Sequence, residues 1–249
     1  MPSFQHDDVE IAYLDEGEGD PIMLVHGFAS TKNVNWVYPT WVSDLKKDRR
    51  RVIALDNRGH GRSQKLYDPR LYFAHEMAAD AARLLDHLEI ERLPVIGYSM
   101  GARIAAFLAL REPRRVAAAV FGGMGLNLVT GLADSEAIIS ALTAETLAEV
   151  TDRSGRQFRI FAEHSGADRA ALAACMINSR EPMKEADVRR IEAPVLVAVG
   201  AEDEMAGSAE ALAKLLPHGE AFIIPRRDHM RATGDGAFKD AALEFLARG

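Results

Sequence analysis

The chain is predicted to fold as an α/β protein around a mostly parallel sheet, and two observations carry that prediction. Strand-like and helix-like segments alternate along most of its 249 residues. The strand-like segments are short, continuous apolar runs, as expected of strands buried on both faces by helices. An apolar fraction of 48% with 27% charged residues fits a soluble globular chain, so the runs can be read as core. The length suits one ordinary domain, or one domain with a modest insertion.

The elements follow in order. Phe4 to Leu14 alternates weakly and reads as one or two edge strands, closed by the turn-forming run Asp15-Glu16-Gly17-Glu18-Gly19-Asp20. Pro21 to Val25 is an apolar strand stopped by His26-Gly27. Trp36 to Leu45 reads as a helix and Val52 to Asp56 as the next strand. Ala74 to Leu88 is a helix with apolar residues at Met77, Ala81, Leu84, Leu85 and Leu88. Pro94 to Tyr98 is a strand, Ala102 to Leu110 a helix, and Val116 to Phe121 a strand closed by Gly122-Gly123. Pro194 to Gly200 and Ala221 to Pro225 complete the strands, followed by helices over Ser208 to Leu216 and Gly234 to Leu246.

Between Gly125 and Val188 the rhythm breaks. Ala137 to Val150, Gln157 to His164 and Asp168 to Ile177 all read as helices, and no strand is evident. The expected organisation is a core of residues 1–124 and 189–249 with a helical cap, 125–188, inserted between two strands. Leu126, Leu128, Leu132, Ile138, Phe158, Phe161 and Met176 are among its apolar residues, some packing the cap and some facing a pocket. Gly122-Gly123-Met124-Gly125 reads as the hinge leading into it.

Parallel sheets present ligands beyond the carboxyl ends of their strands. The polar residues just past those ends are His26, Asp56, Ser99, Asp203 and His229. Ser99 lies in Gly97-Tyr98-Ser99-Met100-Gly101, a Gly-x-Ser-x-Gly run between a strand and a helix, the setting of a nucleophile elbow. A serine hydroxyl needs a base to take its proton and a carboxylate behind that base to fix its tautomer. Asp203, ahead of its neighbours Glu202 and Glu204, is the candidate acid, and His229 the candidate base. Together they give the chain order Ser, Asp, His. The backbone amides of Met100 and Phe28 are the candidate oxyanion donors. His26 is expected to brace the loop through hydrogen bonds.

Other classes fall away. A net charge of −7 argues against nucleic-acid and acidic-membrane partners. The basic run from Lys46 to Arg51 reads as a solvated helix end. Cys175 is the single cysteine, so there is neither an intrachain disulfide nor a thiolate cluster. The sequence carries no His-x-x-x-His pair and no Gly-x-Gly-x-x-Gly fingerprint after a strand, so neither metal nor dinucleotide is expected. No signal-like or membrane-spanning run is present, which makes the cytoplasm the expected location.

With these residues in place the chain resembles the alpha/beta-hydrolase superfamily, in its small-cap, esterase-like form. The resemblance rests on His26-Gly27-Phe28, Asp56-Asn57-Arg58-Gly59-His60-Gly61-Arg62-Ser63, Gly97-Tyr98-Ser99-Met100-Gly101, Gly200-Ala201-Glu202-Asp203 and Asp228-His229. It implies that Asp56, Arg58 and His60 are scaffold. Ala102 departs from the pattern, because relatives commonly have a second glycine there. The implied activity is hydrolysis of a small-molecule carboxylic ester by water through an acyl-enzyme, without a cofactor. Lactonase action, including on an enol-lactone, is the main alternative. It would call for a cationic handle on a substrate carboxylate, for which Arg153, Arg156, Arg159 and Arg180 are available. Carbon–carbon bond hydrolysis, peroxide-accepting haloperoxidase-like chemistry and a non-catalytic or single-turnover small-ligand receptor complete the set. Dehalogenation is disfavoured because relatives of that type place an aspartate where Ser99 stands.

Overall fold

The computed structural model describes residues 2–131 and 135–248, so Leu132 of the expected cap lies outside the described residues. Eight strands form one sheet in the order β1-β2-β4-β3-β5-β6-β7-β8. β1 (Ser3–His6) and β2 (Val9–Glu16) are antiparallel. β3 (Asp20–Val25), β4 (Arg50–Leu55), β5 (Leu93–Tyr98), β6 (Val116–Gly122), β7 (Val195–Gly200) and β8 (Gly219–Ile224) run parallel to one another.

Alternate residues of each strand feed opposite cores, as the two-residue period of a strand requires. Met23, Val25, Ile53, Leu55 and Val95 pack into a core shared with α2 (Ala74–His87) and α3 (Met100–Arg111). Ile22, Leu24, Val52, Ala54 and Ile96 pack on the other face against α1 (Trp41–Lys47) and α10 (Gly236–Leu246). Burial on both faces is why these strands read as unbroken apolar runs. β8 is the exception: it is an edge strand, and Ile223 is exposed.

Residues 125–188 contribute helices only, among the described residues. α4 (Asn127–Thr130), α5 (Ser135–Thr143), α6 (Arg153–His164), α7 (Arg169–Asn178) and α8 (Glu185–Val188) lie between β6 and β7 and form the cap region. α9 (Ala209–Ala213) then covers β7 and β8.

Two expected helices are broken. The helix over Trp36 to Leu45 is broken: a π-turn at Asn33–Val37 ends before Pro39, Thr40 takes a positive φ of 69°, and α1 starts only at Trp41. Proline lacks the N–H that a continuous helix needs. The helix over Ala137 to Val150 is α5 followed by a separate 3₁₀ turn, Leu147–Glu149. In the glycine run that leads into the cap, a Cβ on Gly125 would stand 2.3 Å from the Gly207 carbonyl oxygen. No described helix is long and apolar enough to cross a membrane.

Candidate active site

β4 lies on one side of β3 and β5 on the other, so the chain reverses direction across the sheet at the β3–β5 pair. The carboxyl ends flanking such a reversal open a crevice. Here they carry the loop His26-Gly27-Phe28 and the turn at Ser99.

Ser99 joins β5 to α3 with φ 54° and ψ −116°. A positive φ on a residue with a Cβ costs about 1–3 kcal/mol and persists only where its surroundings hold it. The Ser99 N–H donates to the Gly122 carbonyl at 2.7 Å, and the Ser99 carbonyl accepts from Ala102 and Arg103 N–H at 2.9 and 3.2 Å. The flanking glycines permit the turn by close approach. A Cβ on Gly97 would meet the Gly101 carbonyl oxygen at 2.3 Å, and one on Gly101 would meet the Val25 carbonyl oxygen at 2.0 Å. The helix therefore starts two residues earlier than propensity suggests, at Met100.

The structure brings Ser99, Asp203 and His229 into one hydrogen-bonded line. Ser99 Oγ and His229 Nε2 are 2.9 Å apart, and His229 Nδ1 and Asp203 Oδ2 are 2.7 Å apart. A carboxylate can only accept here, which puts the imidazole proton on Nδ1 and leaves the Nε2 lone pair facing the serine. Asp203 has a fully buried side chain, and its Oδ1 accepts from Met205 and Ala206 N–H at 2.8 and 3.0 Å. Glu202 and Glu204 are exposed, and neither hydrogen-bonds to His229. Tyr98, one residue before the serine, donates its hydroxyl to the His229 carbonyl at 2.5 Å and so ties the histidine loop to β5. Burial holds that phenol well above its ordinary range.

The loop after β3 packs directly on the turn: a Cβ on Gly27 would stand 3.4 Å from the Ser99 Cβ. His26 is fully buried; its Nδ1 donates to the Gly27 carbonyl at 2.8 Å and its Nε2 accepts from Asn57 N–H at 2.9 Å. Burial lowers its pKa to about 4, so the ring is a neutral brace. Gly27 N–H donates to Asn35 Oδ1 at 2.7 Å. Among the described residues the Phe28 N–H finds no acceptor. Met100, as the first residue of α3, has an N–H with no intrahelical acceptor either. Both candidate oxyanion donors thus border Ser99 with their N–H groups uncommitted.

Asp56, Arg58 and His60 lie behind this loop, apart from the Ser99 line. Asp56 accepts from the Lys32 ammonium, from Lys32 N–H and from Arg62 N–H. Arg58 holds Asp80 through two bonds of 2.7 and 2.6 Å. His60, lowered to about 3 by burial, packs its ring between those of His26 and Phe28.

Two cavities meet at Ser99 and His229. The larger, about 290 Å³, is lined by Phe28, Asn35, Tyr98, Phe158, Phe161 and Met230 among others. The smaller, about 30 Å³, is bounded by Met100, Arg103, Met124, Ser179, Arg180 and Met205. Of these, Asn35, Arg103 and Ser179 escape a reading of the sequence; each sits in a helix or turn with no pattern marking it. Among the described residues no three His, Cys, Asp or Glu side chains converge as a metal site needs.

A mostly parallel sheet in this order, with a glycine-flanked serine on the turn after β5 and an ordered acid and histidine beyond β7 and β8, defines an alpha/beta-hydrolase fold. The family profile described as alpha/beta hydrolase fold matches residues 20–138. Among curated proteins, the chain is 29% identical over 262 aligned residues to a non-heme haloperoxidase of Rhodococcus erythropolis, covering 91% of this chain and 92% of that one. It is 26% identical to a Bacillus subtilis (strain 168) protein provisionally named a 2-succinyl-6-hydroxy-2,4-cyclohexadiene-1-carboxylate synthase, covering 90% and 89%. Among solved structures, a hydrolase from Pseudomonas aeruginosa PA01 superposes with a TM-score of 0.81 at 24% identity, covering 98% and 97%.

Proposed function

We propose that the chain is a serine hydrolase that cleaves a small-molecule carboxylic ester through an acyl-enzyme. The observation that carries this reading is the line Ser99 Oγ, His229 Nε2, His229 Nδ1, Asp203 Oδ2, with spacings of 2.9 and 2.7 Å. The names of the relatives range over synthase, haloperoxidase and hydrolase, and it is this geometry that favours hydrolysis of an ester.

In the proposed cycle His229 Nε2 accepts the Ser99 proton as Oγ attacks the ester carbonyl carbon. The carbonyl oxygen gains the negative charge and accepts from the N–H groups of Phe28 and Met100. Asp203 stabilises the imidazolium without itself taking the proton. The tetrahedral intermediate collapses, the alcohol departs with the proton from His229, and Ser99 is left acylated. Water then gives a proton to His229 and attacks the acyl carbon; collapse returns the proton to Ser99 and frees the acid. A lactone is opened by the same steps, its alcohol remaining tethered. Residues 125–188 act in this reading as the cap that closes over the two cavities, on a core of residues 1–124 and 189–249.

The test is turnover of 4-nitrophenyl butyrate by wild type and by Ser99→Ala, with mass spectrometry of wild type after a fluorophosphonate. Loss of about 10³-fold or more in the variant, and a single adduct on Ser99, are expected. Undiminished turnover by Ser99→Ala would refute the reading.

A further inference from the structure

The four arginines available as handles for a substrate carboxylate separate in the structure. Arg159 is buried, with Nε on Glu163 Oε1 at 2.5 Å and Nη1 on the Ala141 and Ala144 carbonyls. Arg156 donates to the Leu147 carbonyl. Arg153 lies in a depression rimmed by Asp152, Glu202, Glu204 and Asp228. Only Arg180 of the four lines a cavity that also contains Ser99.

That cavity, about 30 Å³, has room for one or two water-sized groups. Three features of its wall suit an anion. The Arg180 guanidinium carbon stands 6.0 Å from the centre of the Phe28 ring and 5.8 Å from that of Phe158, so the cation is seated on the same loop that borders Ser99. Arg103, on the helix behind Ser99, is only 3% exposed. It donates to the carbonyls of Leu128, Glu181 and Asn127 and contacts Met124 Sδ, and no described carboxylate is ion-paired with it. Ser179, 1% exposed, has a hydroxyl with no nitrogen or oxygen partner and only the Cys175 thiol beside it. A buried cation without a paired anion is costly, and so is a buried hydroxyl without a partner. Burial and the nearby Arg180 charge pull Arg103 down to about 10, against the opposing pull of Glu181. An anion entering the cavity relieves both conditions at once, that of Arg103 and that of Ser179.

We propose that the substrate cleaved at Ser99 carries a carboxylate, which enters this cavity and is held by Arg180 and the Ser179 hydroxyl in the field of Arg103. The proposal rests on the serine-hydrolase reading. Because Ser99 is part of the same wall, a short linker joins the carboxylate to the scissile carbonyl, and the apolar remainder of the substrate takes the larger cavity. The substrate class is therefore the monoester or lactone of a short dicarboxylic or hydroxy-dicarboxylic acid.

The experiment compares mono-(4-nitrophenyl) glutarate with its neutral methyl ester on wild type, Arg180→Met and Arg180→Lys. Wild type should favour the acid in kcat/KM. In Arg180→Met the loss on the acid should exceed the loss on the neutral ester by about 10- to 100-fold, mostly in KM, and Arg180→Lys should restore part of it. Equal turnover of both esters by wild type, or equal losses on both in Arg180→Met, would overturn the proposal while leaving the hydrolase reading intact. Turnover of neither ester would overturn the hydrolase reading itself. Calorimetry then decides the anion site alone: glutarate should bind Ser99→Ala and bind the Ser99→Ala/Arg180→Met protein at least tenfold more weakly, and failure to bind Ser99→Ala would refute it.

Discussion

Replacing Asp203 by asparagine changes one oxygen for an NH₂ at nearly constant volume, and the structure dictates which way the amide faces. Oδ1 already accepts from the N–H groups of Met205 and Ala206, both on partly buried backbone. Turning the NH₂ toward them would forfeit two hydrogen bonds and leave two donors unpaired, at about 1–3 kcal/mol each. The asparagine oxygen therefore stays on the backbone, and its NH₂ faces His229 Nδ1, where the carboxylate now accepts at 2.7 Å. An NH₂ can only donate, so the imidazole proton moves to Nε2 and points at Ser99. The base of the proposed cycle is then blocked in a fold that is otherwise unchanged. A triad with the wrong tautomer loses about 10⁴-fold, or roughly 5.5 kcal/mol of transition-state stabilisation. Steady-state kinetics with 4-nitrophenyl butyrate measure that loss, and urea unfolding verifies that the variant stays within about 1 kcal/mol of wild type. A folded Asp203→Asn protein that loses less than tenfold in kcat/KM would refute the assignment of Asp203.

Two further outcomes concern stability. His26 and His60 are held neutral by burial, at about 4 and about 3 against an ordinary 6.5. The unfolded chain binds more protons than the folded one between those values, so their contribution is fully present above pH 6.5 and is lost as pH falls toward 4. The slope is about 1.4 kcal/mol per pH unit for each histidine within that window. Urea midpoints at pH 7, 6 and 5 should fall in that order, and an unchanged midpoint would contradict the buried neutral assignment. Gly101→Ala would place a Cβ 2.0 Å from the Val25 carbonyl oxygen and 2.7 Å from that of His26. Backbone cannot rotate away, so α3 must lift, at roughly 3 kcal/mol or more; a stability within 1 kcal/mol of wild type would show that the close approach is not required.

Much of the fold was legible because the sheet is buried on both faces. Val195 to Gly200 is buried throughout, and an unbroken apolar run this short, bounded by proline and glycine, fits little else than a strand covered on both sides. The line of Ser99, Asp203 and His229 was legible for a related reason: strand ends are easy to find, and polar residues just past them are few. What escaped were interactions with no local signature. Asn35 reaches Gly27 from a π-turn whose spacing resembles that of an ordinary helix. Lys32 is a buried cation only because Asp56, twenty-four residues away, receives it. The cap was the least legible part. Helical spacing cannot separate Phe158, which lines the larger cavity, from Leu172, which packs the core.

The helix behind the serine links chemistry to selectivity. α3 begins with the Met100 N–H at Ser99, and one turn later it carries Arg103, whose guanidinium grips the carbonyls of Asn127, Leu128 and Glu181 in the cap region. Its seat on the sheet is set by Gly97 and Gly101, where carbonyl oxygens leave no space for a Cβ. A displacement of α3 must therefore move one proposed oxyanion donor, the serine facing His229 and the cap anchor together. Changes in its packing should affect kcat and KM jointly, because the reacting atoms and the cavity wall shift as one body. Changes at Arg180, which reaches the cavity from beyond α7 and rests on the rings of Phe28 and Phe158, should act chiefly on which ester is bound in the proposed reaction.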